Sequence, residues 1–117
     1  MPTSSMPPDD ITRFRHMIEA GEAAGRFIAG RPRGDLDTDL MLQFALVRAI
    51  EIIGEAASKV SPETRSATSA IPWPRIVAMR NRLIHAYFDI DRDILWRTVG
   101  EELPELLALL RQAIAKR

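Results

Sequence analysis

Apolar residues recur along this chain at intervals of three and four, and the strict alternation that marks a half-buried strand is not sustained anywhere. The pattern predicts helices joined by seams rich in Gly and Pro. A first helix is expected from about Asp9 to Ala29, with Ile11, Phe14, Ile18 and Phe27 among its apolar positions; Gly30, Pro32 and Gly34 then make a connection. A second, longer helix is expected from Asp37 or Thr38 to Val60. With successive residues about 100° apart on a wheel, Leu42, Leu46, Ala49, Ile50, Ile53, Ala56, Ala57 and Val60 share one face. Opposite them Leu40, Phe44, Val47, Gly54 and Ser58 form a second stripe, with Glu51 and Glu55 in and beside it. One apolar stripe suffices for a helix at the edge of a monomer, so a helix with two requires cover on both sides. A homodimer supplies the second surface most simply; another helix of the same chain is the alternative.

Ser61 followed by Pro62 reads as the start of a short third helix, and the IPWP segment, Ile71 to Pro74, then resets the backbone, because a residue before proline is pushed out of the helical region. A fourth helix is expected from Pro74 to Tyr87, and Asp91 caps a fifth running toward Lys116. Pro104 lies inside that last apolar pattern and cannot bond to the Gly100 carbonyl, which predicts a kink or break there. The expected architecture is all-α: an up-and-down bundle of about five helices over residues 9–117, after a flexible tail of residues 1–8.

A chain of 117 residues, 46% hydrophobic and 27% charged, builds one folded core and has no room for a second. It contains no cysteine, so a disulfide framework, a thiol nucleophile and a cysteine-bound zinc are excluded. With two histidines in the whole chain, a zinc site is not expected. The opening MPTSSMPPDD lacks the basic-then-apolar order of a secretory leader, and a cytoplasmic location is expected. Sixteen basic and sixteen acidic residues cancel, so the molecule offers no broad positive field. A polyanion would have to be gripped locally, by a few placed arginines.

The fourth helix concentrates the candidate chemistry. On its wheel Ile76, Val77, Leu83, Ile84 and Tyr87 fall within about 60° of Arg80, which puts a permanent charge in an apolar stripe. A guanidinium there must be paired or must face a solvated cleft, where its fork of donors suits an anion. Asn81 and His85, four apart, share the adjoining stripe. Taken singly, an ion pair with Glu51 or Glu55 explains Arg80, and interfacial packing explains His85. Together, beside a suspected dimer seam, they read as a site. Elsewhere His16 reads as a surface residue, and Trp73 and Trp96 as core anchors.

The segment MRNRLIHAYFDID, residues 79–91, resembles the signature of HepT-like toxins in the HEPN superfamily: an arginine, four residues, a histidine, one residue and a tyrosine, here Arg80, His85 and Tyr87. AIEIIGEAASKVS (Ala49 to Ser61), IPWPRIVAMRN and DILWRTVGEELPELL resemble other blocks of that family, so the resemblance covers nearly the whole chain after the tail. Arginine and histidine at this spacing alone would be weak; the blocks together are specific. Pro74 departs from the pattern, at the helix start and away from the site.

The resemblance implies an all-helical homodimer whose two motifs face each other across a cleft, and a metal-independent endoribonuclease that needs no cofactor. It also implies the toxin role in a type VII-like toxin–antitoxin pair. The partner would be an MntA-like minimal nucleotidyltransferase, which transfers AMP to the motif tyrosine, here Tyr87. The chemistry is coherent with this. RNA carries its own nucleophile, the 2′-hydroxyl, so cleavage needs a base, an acid for the leaving 5′-oxygen and positive charge at the phosphorus. Two His85 side chains, one per subunit, would serve both proton roles, with Arg80 on the phosphate, Asn81 orienting it, and Glu51 and Glu55 supporting Arg80. Arg75, Arg82, Arg92 and Arg97 either line an RNA approach or belong to a solvated face. The competing readings are a HEPN-type helical subunit that binds a nucleotide or a nucleotidyltransferase without cleaving, and a plain dimerisation module.

Overall fold

The computed structural model of the chain describes residues 6–86 and 89–115, with the backbone alone for Arg80, Ile84–Ala86 and Asp89. The expectations placed on tail residues 1–5, on Tyr87 and on Lys116 lie outside the described residues.

Helix α1 spans Pro8–Ile28, where Pro8 has no N–H to waste and Asp9 and Asp10 lie in a first turn that favours negative charge. Gly30 follows it at φ 72°, a left-handed conformation that glycine adopts without penalty. The long second helix is divided. A single turn, α2 (Asp35–Thr38), is followed by extended Asp39, whose carboxylate accepts the Leu42 N–H at 3.0 Å and starts α3, Leu40–Ser58. An aspartate that can satisfy a free amide restarts a helix at little cost, which is why the boundary falls there.

Ser61 caps α4 (Pro62–Ala67), as its sequence implied. Asp10 of α1 reaches the same junction: its carboxylate accepts from the Ser61 N–H at 3.0 Å, the Ser61 hydroxyl at 2.7 Å and the Thr64 hydroxyl.

Helix α5 spans Trp73–Leu83 and ends sooner than the wheel required. Ile84–Ala86 (β1) pairs antiparallel with Asp89–Ile90 (β2), matching Ile84 with Ile90 and Ala86 with Asp89; the register slips between them, and His85 is the extra residue. The Asp91 N–H closes this ribbon on the Leu83 carbonyl at 3.0 Å. A run of β-branched and aromatic residues just before the Asp91 cap favours reversal over another helical turn.

The last expected helix consists of three segments: α6 (Arg92–Arg97), a π-helical turn (Thr98–Glu102) and α7 (Leu103–Ala115). Asp91 caps α6 by accepting the Ile94 N–H at 3.0 Å. The irregularity expected from Pro104 takes the form of the π turn, in which the Leu103 N–H donates to Thr98 five residues back.

The fold is all-α apart from that short ribbon. Helix α1 packs on α3 and α7, α3 packs on α5, and α6 joins α2, α3 and α5. All eight residues assigned to the core face of the long helix are buried, from Leu42 to Val60. The extents, 53 × 29 × 19 Å, describe a slab two helices thick, since one helix with its side chains measures about 10 Å across. Among the described residues no helix is long and apolar enough to cross a membrane.

Candidate functional site

The core stripe of α5 (Trp73, Ile76, Met79 and Leu83) is buried, and this fixes the rotation of the helix. Val77 and Asn81 consequently face outward, Val77 being 40% exposed. Helix α5 approaches α3 closely where Gly54 lies: a Cβ there would stand 3.9 Å from the Ile76 carbonyl oxygen. The second stripe of α3 emerges beside this contact. Leu40 and Phe44 are each 60% exposed and Met41 is 81% exposed, so the chain leaves the amino-terminal part of that stripe uncovered. Three large apolar side chains within two turns of one helix form a contiguous patch of the kind that marks an interaction face.

Arg80 belongs to the last turn of α5, and on the helix circumference its position falls between those of Trp73 and Ile76, at the edge of the buried stripe. His85 is in β1, beyond the end of the helix. The helical geometry that set Asn81 and His85 on one stripe is therefore corrected: the two are joined through a helix end and an irregular strand, because the chain turns at Ile84. A bulge beside a candidate site is a recognised way of redirecting a side chain that a regular register would fix. Asn81 is exposed, and Tyr87 lies outside the described residues.

Glu51 and Glu55 lie on the exposed side of α3, where Arg48 stands 3.5 Å from Glu51 and 3.7 Å from Glu55. The spacing of three residues between Arg48 and Glu51 on one helix is the sequence signal for this contact. The four arginines considered for an RNA approach are mostly engaged. Arg82 donates to Glu102 at 2.9 Å, Arg75 lies 3.9 Å from the same carboxylate, and Arg92 donates to Asp37 at 3.1 Å. Arg97 is exposed. Trp73 is a core anchor as expected, edge-on to Phe14 with centroids 5.6 Å apart and its indole N–H donating to Thr68; His16 is exposed.

An all-α slab in which α3 exposes large apolar side chains, and in which the helix leading into an arginine–histidine motif packs on that same α3, defines a small helical protein. Residues 17–113 match the family described as ribonuclease HepT-like, and the chain belongs to that family. It is 36% identical over 103 residues to a candidate RNase of Caldanaerobacter subterraneus subsp. tengcongensis, covering 88% of this chain and 92% of that protein. It is 44% identical over 72 residues to a candidate ribonuclease HepT of Thermococcus cleftensis, covering 62% and 66% of the two chains. A candidate RNase of Methanocaldococcus jannaschii is 42% identical over 102 residues, 86% of this chain and 94% of its own. No solved structure matches the chain significantly.

Proposed function

We propose that this HepT-like ribonuclease is a metal-independent endoribonuclease acting as a homodimer, with Arg80 and His85 as its catalytic residues. The observation that carries the reading is the uncovered amino-terminal part of the second stripe, Leu40 and Phe44, with exposed Met41 beside it, on the helix that packs against α5. A second copy seated on that stripe would bring two α5 ends together and supply the pair of histidines that one motif cannot. In this reading one His85 removes the proton from the 2′-hydroxyl as that oxygen attacks phosphorus. The other protonates the departing 5′-oxygen, leaving a 2′,3′-cyclic phosphate and a free 5′-hydroxyl. Arg80 neutralises the charge that builds on the phosphoryl oxygens, and Asn81 orients them.

The reading extends to regulation. The chain would be the toxin of a toxin–antitoxin pair, held in check by an MntA-like nucleotidyltransferase that adenylates Tyr87. The added AMP would place bulk and negative charge beside Arg80 and block RNA.

The test is cleavage of single-stranded RNA by the purified full chain in the presence of EDTA. Wild type should cleave and leave cyclic-phosphate ends, and His85→Ala should lose at least about a hundredfold in rate, the usual contribution of a general acid or base. Equal activity in the two proteins, or activity abolished by EDTA, would overturn the reading.

A further inference from the structure

Glu102 stands outside the motif and outside the α3 face, yet it engages the helix that carries Arg80. Its carboxylate is 22% exposed and accepts from both terminal nitrogens of Arg82, at 2.9 and 3.5 Å; Arg75 reaches it at 3.9 Å. Arg75 and Arg82 are two turns apart on α5, a span of about 10 Å along the axis, and Arg80 and Asn81 lie between them. Two arms from opposite ends of a helix that converge on one carboxylate resist sliding: movement in either direction lengthens one arm.

The rest of the fold leaves this job open. Among the described residues α5 packs on α3 and α6 but not extensively on α7, from which it is separated by a cleft of about 240 Å³ lined by Arg75, Ile76, Met79, Glu102, Leu106 and Leu109. Packing on that side is confined to the buried floor of the cleft, where Ile76, Met79 and Leu106 lie, and the carboxylate adds a polar link from α5 to the π-helical turn. Glu102 reaches it because it ends the π-helical turn, whose extra residue shifts the phase of the chain before Pro104.

We infer that Glu102 is a positioning residue for RNA cleavage: through Arg75 and Arg82 it sets the axial position of α5 and hence where Arg80 meets the phosphate. This rests on the ribonuclease reading above. A displacement of about an ångström in a group that stabilises a transition state costs rate, whereas encounter with the substrate is little changed.

The experiment compares Glu102→Gln, Glu102→Asp, Arg82→Met and the Arg82→Met/Glu102→Gln double variant in the full-length protein. It reads kcat and KM on single-stranded RNA together with hydrogen exchange of the Met79–Leu83 amides. Glu102→Gln should lower kcat about tenfold with KM within about twofold, Glu102→Asp should recover part of that loss, and the double variant should be no slower than Glu102→Gln alone. The same amides should exchange about tenfold faster in Glu102→Gln, as expected when a local restraint is removed. Wild-type kcat in Glu102→Gln while His85→Ala is inactive would overturn the inference and leave the ribonuclease reading standing. A change in KM alone would also overturn it, by placing Glu102 in substrate binding. If His85→Ala proves as active as wild type, the ribonuclease reading fails; exchange then decides the clamp, and unchanged exchange overturns it.

Discussion

Asp10 joins the start of α1 to the α3–α4 junction through one buried carboxylate. Burial pushes its pKa up, but hydrogen bonds from the Ser61 hydroxyl, the Thr64 hydroxyl and the Ser61 N–H, with the charge of Arg13 beyond, outweigh that and hold it below the ordinary aspartate value. A carboxyl whose folded pKa is depressed stabilises the fold in its ionised form, above its unfolded pKa, and loses that contribution as pH falls through the folded value. The chain should therefore lose stability as it is acidified from the ordinary aspartate range downward. Asp10→Ala should show a smaller loss across that window. At neutral pH it should be less stable by about 3 kcal/mol, because it leaves three donors of the junction without their acceptor. Urea unfolding as a function of pH measures both effects; an unchanged acid limb in the variant would remove Asp10 from the account.

At the scale of elements, the π-helical turn reconciles a proline with a continuous apolar face. Val99, Leu103, Leu106, Leu107 and Leu110 are all buried across it, a phase the chain keeps by inserting a residue where Pro104 cannot donate. The turn has a cost at its first residue: Thr98 is fully buried, and among the described residues its hydroxyl has no hydrogen-bond partner. Thr98→Val keeps the shape and removes the unpaired polar group, so it should stabilise the protein by about 1 kcal/mol. A lowered thermal midpoint in that variant would mean that the hydroxyl is satisfied in solution. The end of α5 teaches the complementary lesson. Wheel geometry extended the helix through His85, and the observed ribbon ends it at Leu83, because local preference for reversal and the Asp91 cap act together just where the apolar period still reads as helical.

For the molecule as a whole, thickness is decisive. The outer stripe of α3 is covered by α5 at Gly54, but a slab 19 Å thick has no third layer over its amino-terminal part, so Leu40 and Phe44, with Met41 beside them, stay in water in the single chain. If the proposed homodimer uses this face, Phe44→Glu should give a folded monomer, because a side chain 60% exposed contributes little to the monomer's own core. Light scattering should then report half the wild-type mass, and RNA cleavage should fall with it. A dimer that survives the substitution would move the interface elsewhere.

The helical class, the core face of α3, the caps at Ser61 and Asp91 and the disturbance near Pro104 were legible in the chain, because each depends on near neighbours: the period of apolar residues, a side chain within three positions of a free amide, a missing N–H. The motif was legible too, as a pattern of residue types. Contacts between residues distant in sequence were decided by the tertiary structure alone. Glu102 meets Arg82 across twenty residues, and Asp10 meets Ser61 across fifty-one. Periodicity tells which side of a helix is apolar; which partner that side meets depends on packing that no local pattern encodes.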